Sequence, residues 1–160
     1  MFFRIKKIKG KEYAYIVENE WQTKGSRQKV KSYIGRAHRF GLKNEIGFLQ
    51  FIKAETLESY IRNAQRHKII SDLVEWEIFK FGLSKQEFSI DLNERTIKKN
   101  GKNAVFLVND GFMCSLTLKN LLDFKAEGDE QKDARSLARA FVESGIKVPQ
   151  EVFIGLYEKI

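Results

Sequence analysis

The 160 residues include one cysteine, one proline and two histidines. A single thiol, Cys114, excludes an intramolecular disulfide and a cysteine-cluster zinc site, and it makes the cytoplasm the expected compartment. The longest uninterrupted apolar run is Ala104 to Val108. A membrane-spanning helix needs about 20 apolar residues, so none is expected. The opening MFFRIKKIKGK has no apolar stretch of the kind a secretory signal carries. Both histidines sit among cations, in Arg36-Ala37-His38-Arg39 and Arg66-His67-Lys68. Cationic neighbours disfavour a bound metal ion. No glycine-rich phosphate cradle is present either, Gly10 and Gly35 reading as single turn glycines. No metal and no cofactor are expected.

Positive charge is abundant and uneven. The net charge is +8, and residues 1–43 alone hold 12 Lys/Arg against three acidic residues. The remaining 117 residues hold 17 against 18 and are nearly neutral. A first quarter carrying the whole excess points to a polyanion, with nucleic acid leading because phosphate contacts dominate such binding. An anionic membrane surface fits less well, since the segment has strand periodicity rather than that of an amphipathic helix.

The pattern along the chain is α+β. Phe3–Lys9, Glu12–Glu18 and Arg27–Ile34 read as three antiparallel strands, with a turn at Gly10-Lys11, a loop over 19–26 that contains Trp21, and Gly35 as the close. Helical spacing runs from about Asn44 to Phe81, with breaks expected near 53–56 and 65–68 and Gly82 as the C-terminal stop. A second small antiparallel sheet is expected over 88–114, with a hairpin at Asn100-Gly101. Helices fill about 116–160. Ser115 or Thr117 is expected to cap the first, Asp129 the next and Gly145 to end it, and Pro149 to open the last. The organisation expected is therefore a basic three-stranded module, 1–43, joined to a mixed body, 44–160.

Alternation along a strand sorts side chains onto two faces. One face of the module collects Phe3, Ile5, Ala14 and Ile16, with Val30 and Ile34, and packs on the helices behind. The other collects Arg4, Lys6, Tyr13, Tyr15, Arg27, Lys29, Lys31 and Tyr33, with Arg36 and Arg39 just beyond. Cations neutralise phosphates, and tyrosine rings stack on unpaired bases at roughly 1–3 kcal/mol each. A two-stranded ribbon of this kind also fits a duplex major groove. These ten residues are the expected nucleic-acid contacts.

The pattern Arg4…Lys9-Gly10…Tyr13…Tyr15…Val17-Glu18, then Gly25…Gln28…Gly35-Arg36, resembles the N-terminal segment of DDE-type insertion-sequence transposases. A similar segment opens small uncharacterised archaeal proteins. The resemblance covers about the first 35 of 160 residues. It implies nucleic-acid contact and not transposition, because the chain is too short for the spaced catalytic carboxylates of those enzymes. No family is recognised in 44–160.

Other clusters carry weaker chemistry. Asp72, Glu75 and Glu77 read as a solvated acidic stripe on a helix. Asp91, Glu94 and Lys98 lack the tight spacing of a nuclease carboxylate–lysine set. Cys114 reads as a buried small hydrophobe with no base beside it. Arg62, Arg66, His67 and Lys68 suit a helix C-terminus. Lys98, Lys99 and Lys102 surround a hairpin tip, and the acidic group from Asp123 to Asp133 suits capping. The leading expectation is non-enzymatic nucleic-acid binding, to DNA or RNA. A protein–protein adaptor comes second and a metal-dependent nuclease a distant third.

Overall fold

The computed structural model describes residues 1–83 and 86–160. The chain opens with three strands, β1 (Phe2–Ile8), β2 (Lys11–Gln22) and β3 (Gly25–Arg39). Helices α1 (Phe48–Ile52), α2 (Leu57–Asn63) and α3 (Arg66–Lys80) follow. Strands β4 (Ser89–Asp91), β5 (Thr96–Lys99), β6 (Lys102–Val108) and β7 (Gly111–Met113) come next, then helices α4 (Ser115–Leu122), α5 (Glu130–Ser144) and α6 (Gln150–Tyr157). The α+β reading and the three-stranded start hold. No helix among the described residues is long and apolar enough to cross a membrane.

Three tight turns share one chemistry. Lys9-Gly10, Asn100-Gly101 and Asn109-Asp110 all have both central φ values positive, between 49° and 77°. That is the primed turn whose twist matches paired strands, and glycine suits its second position. The first turn therefore falls at Lys9-Gly10, one residue earlier than Gly10-Lys11. The third is Asn109-Asp110, ahead of the glycine at 111.

The expected loop over 19–26 is instead strand. Glu18–Gln22 pairs with Gly25–Lys29 past the last β1 pair, Phe2 with Val17, so the hairpin projects as a two-stranded ribbon. Its Trp21 is 84% exposed, so no core anchors the tip. Gly35 lies inside β3 rather than closing it. A Cβ there would stand 2.6 Å from the Asn103 carbonyl oxygen, so glycine permits β6 to come alongside.

That approach changes the sheet. The module and the later strands do not form two antiparallel sheets. They join in one mixed sheet of order β1-β2-β3-β6-β5-β4, with β7 also on β6. The junction is parallel, from Arg36 with Ala104 to Arg39 with Leu107. Parallel neighbours need a long crossover, and α1–α3 with β4 and β5 supply it. The apolar face of the module packs mainly on sheet side chains rather than on helices. Phe3, Ile5, Ala14 and Ile34 meet Val105, Leu107, Phe112 and Cys114, with Phe3 stacked on Phe112 at 4.4 Å. The main core lies elsewhere, around Ile69, Leu73, Phe106, Leu121, Leu137 and Leu156.

In the helical stretch the break at 53–56 is present, and the second falls at 64–65. Helix starts at 48 rather than 44. Arg66, His67 and Lys68 consequently open α3 instead of ending a helix. Arg66 there donates to the Phe124 carbonyl and Lys68 pairs with Asp72. Gly82, at φ 60°, terminates α3, with the Leu83 N–H reaching back to the Ile78 carbonyl at 3.1 Å. Asp129 caps α5 by accepting from the Lys132 N–H, and Asp133 accepts from the Glu127 and Gly128 N–H groups. The N-cap of α4 is Cys114, and the Ser115 hydroxyl oxygen instead accepts from the Ile97 N–H.

Candidate nucleic-acid interface

The β1–β2 register pairs Lys6 with Tyr13, Arg4 with Tyr15 and Phe2 with Val17. Moving the turn by one residue shifts each partner by two. Because side chains alternate with period two, such a shift leaves the faces unchanged. Arg4, Lys6, Tyr13 and Tyr15 therefore share one face as expected.

The β2–β3 pairing is where the expectation fails in part. Register slips between Ala14 and Tyr15, and again between Ile16 and Val17, leaving Ile34 and Lys31 as extra residues on β3. Each bulge inverts the alternation on that strand. Tyr33 stays opposite Tyr15, and Arg36 opposite Tyr13. Beyond the second bulge Lys29 faces Glu18 and Arg27 faces Glu20, which puts both cations on the side away from the tyrosines. Lys31 closes an ion pair with Glu18, and Arg39 makes two bonds to the Glu12 carboxylate at 2.7 and 2.8 Å. Those partners hold the Glu18 and Glu12 carboxyls below the usual carboxylate range. Six of the ten expected contacts come together: Arg4, Lys6, Tyr13, Tyr15, Tyr33 and Arg36. Arg27, Lys29, Lys31 and Arg39 are directed elsewhere or already paired.

The three tyrosines form one cluster. Tyr33 lies 5.3 Å from Tyr15 and 6.3 Å from Tyr13, both tilted, and the Lys6 ammonium sits 4.9 Å from the Tyr15 ring centre. Tyr13 and Tyr15 are half-buried, whereas Tyr33 is 55% exposed. Burial, with the neighbouring phenols, pushes the Tyr33 hydroxyl pKa up. Arg4 donates to the Gln28 side-chain oxygen, which fixes the guanidinium at the edge of the cluster.

The sequence does not show what lies beside these rings. The parallel β3–β6 contact carries the Asn100-Gly101 hairpin onto the tyrosine face. Tyr13, Tyr33 and Arg36 line a hollow of about 360 Å³ with His38, Lys99, Asn100, Lys102, Asn103 and Ala104. A second hollow of the same volume adjoins it, sharing Arg36, His38 and Lys99 and reaching Lys11. The two make a trough with cations along both walls. Glu12 and Glu87 are the acids in it; Glu12 is held by Arg39, and Glu87 stands 3.7 Å from Lys99. The hairpin lysines are a basic tip in sequence, and only the fold makes them neighbours of Arg36.

His38 reports this field. It stands edge-on to Phe88, 5.2 Å between ring centres. Burial lowers its pKa below the ordinary 6.5, and Lys99 and Arg36 lower it further against a small opposing effect of Glu87. Near and below that value the unfolded chain binds more protons at this position than the folded one. The stability linked to His38 is full above pH 6.5 and is lost as pH falls through the folded pKa. Acidification from about pH 7.5 to 5 should accordingly lower the thermal midpoint more in the wild type than in His38→Gln, measured by circular dichroism.

A larger hollow lies elsewhere. A cleft of about 1040 Å³ lies between Ile5, Leu107 and Phe112 on the apolar side of the sheet and Trp76 and Lys80 of α3. Its lining cations are Arg39, Lys80 and Lys147; the first two are bound to Glu12 and Glu77, and the carboxylates of Glu45 and Asp110 share the lining, so size alone does not make it a phosphate site. Among the described residues no group of three or more His, Cys, Asp or Glu side chains could hold a metal ion. Asp91 is occupied in a turn, accepting from the Asn93 and Glu94 N–H groups. Cys114 is buried, and desolvation pushes its thiol pKa up. Comparison with known proteins finds no matching family model, no matching curated protein and no matching solved structure.

Proposed function

We propose that the protein binds nucleic acid without catalysing a reaction on it, through the tyrosine face of the N-terminal sheet and the trough that continues it. The observation that carries this reading is convergence. Arg36 of β3 and the hairpin residues Lys99 and Lys102, far apart in the chain, line one hollow with Tyr13 and Tyr33. Clustered cations around a partly exposed ring suit phosphates on one side and a base on the other. The resemblance of the first 35 residues to a transposase N-terminal segment implies the same kind of contact.

Two charge-reversal variants test it. Lys6/Arg36/Lys102→Glu alters the tyrosine side, and Arg27/Lys29/Lys31→Glu alters the other by the same net charge. Fluorescence anisotropy with labelled DNA and RNA across a salt series should show wild-type binding with a slope of about −0.7 to −0.9 per phosphate contacted. The first variant should lose at least about 100-fold in affinity, and the second much less. Equal losses would mean that only net charge matters. No binding to any nucleic acid at low salt would end the reading.

A further inference from the structure

We infer that the hollow beside Tyr33 seats one unpaired nucleotide, so that the preferred ligand is single-stranded nucleic acid rather than a duplex. This rests on the nucleic-acid reading above and specifies its ligand. The hollow measures about 360 Å³, at the small end of the range of about 300–1,000 Å³ for small-ligand sites. It is concave, whereas the surface that receives a duplex follows a groove or a phosphate ribbon.

Its walls divide by chemistry. Tyr33, 55% exposed and braced by Tyr13 and Tyr15, offers a ring face that is held in place. Asn100 contributes an amide group, with donors and an acceptor, as the edge of a base requires, and Asn103 also lines the hollow. Arg36 and Lys102 contribute cations for the phosphate that comes with it. A base stacked within a duplex cannot use such a seat without being extruded, which costs unstacking and unpairing energy. Only one of the three tyrosine rings is substantially open, so the site stacks one base rather than a run of three.

The shape of the walls is fixed by backbone. Gly35 lets the Asn103 peptide come within contact of β3, and the primed turn at Asn100-Gly101 holds the hairpin tip upright. The seat is therefore assembled before any ligand arrives, which limits the ordering cost of binding.

The test measures the full chain by anisotropy at fixed low salt against three labelled probes. These are a ten-nucleotide oligo-dT, a ten-nucleotide oligo-rU and a blunt DNA duplex of the same length. Wild type is compared with Tyr33→Leu and Asn100→Gly, both at exposed positions, once circular dichroism shows native spectra. The inference expects at least one single strand to bind about 10-fold or more tighter than the duplex. Tyr33→Leu should weaken the single strand about 10-fold and leave duplex binding unchanged. Asn100→Gly, which keeps the turn and removes the amide, should act in the same direction, and the stronger of the two single strands tells DNA from RNA. Duplex binding as tight as single-strand binding, or equal losses on both in Tyr33→Leu, would overturn the single-nucleotide seat while leaving nucleic-acid binding intact. Failure of all three probes to bind would overturn both.

Discussion

Glu77→Leu should lower the unfolding free energy by about 3–5 kcal/mol, the cost of removing one member of a buried charge pair. Glu77 is fully buried in α3. Its Oε1 accepts from the Lys80 ammonium at 3.0 Å and from the Lys147 N–H at 3.0 Å, and its Oε2 accepts from the Asn109 amide at 2.9 Å. One carboxylate thus ties α3 to the β6–β7 turn and to the segment after α5. Lys80 is shielded in turn, with its ammonium 3.7 Å from the centre of the Trp76 ring. Urea unfolding measures the loss. Glu77→Leu combined with Lys80→Met should recover part of it, since the stranded cation is then gone. A loss under about 1 kcal/mol for the single variant would show that water or a rotated lysine replaces the carboxylate.

Gly145→Ala should cost about 2–5 kcal/mol, from two separable causes. Gly145 ends α5 at φ 73°, where an L side chain loses about 1–2 kcal/mol. A Cβ there would also stand 2.3 Å from the Val108 carbonyl oxygen. The opposing residue is glycine as well: a Cβ on Gly111 would come within 2.2 Å of the Gly145 nitrogen. Backbone meets backbone here, so nothing flexible can give way. Gly101→Ala is the matched control, because its φ is 76° and its surroundings are open. It should lose only the conformational part. Equal losses at 101 and 145 in denaturant unfolding would show that the crowding relaxes at no cost.

The legible parts of this fold are those set by near neighbours in sequence. Asn100-Gly101 announces its own hairpin, and Asp129 and Gly145 announce both ends of α5. The faces of β1 and β2 follow from alternation alone and survive a misplaced turn, since the resulting shift is even. The bulges at Ile34 and Lys31 leave no such trace. Nothing in the string Val30-Lys31-Ser32-Tyr33-Ile34 marks an unpaired residue, and one slip sends Lys29 and Arg27 to the opposite side. The parallel β3–β6 pairing is hidden for a different reason. It depends on how a long crossover packs, and its one local hint is Gly35, which reads equally well as a turn. Glu77 looks solvated because its partners Asn109 and Lys147 stand on other elements.

The β3–β6 junction also bears on how the chain comes off the ribosome. Ala104 follows its partner Arg36 by 68 residues. At about 5–20 residues per second, β6 is completed roughly 3–14 s after β3. During that interval β1–β3 can already stand as a local meander, with β3 as an open edge that invites pairing with another nascent chain. Arg36 and Arg39 along that edge, and the irregular pairing behind it, discourage such a partner. The same charges that line the trough in the finished protein would then act earlier, as protection against aggregation during synthesis.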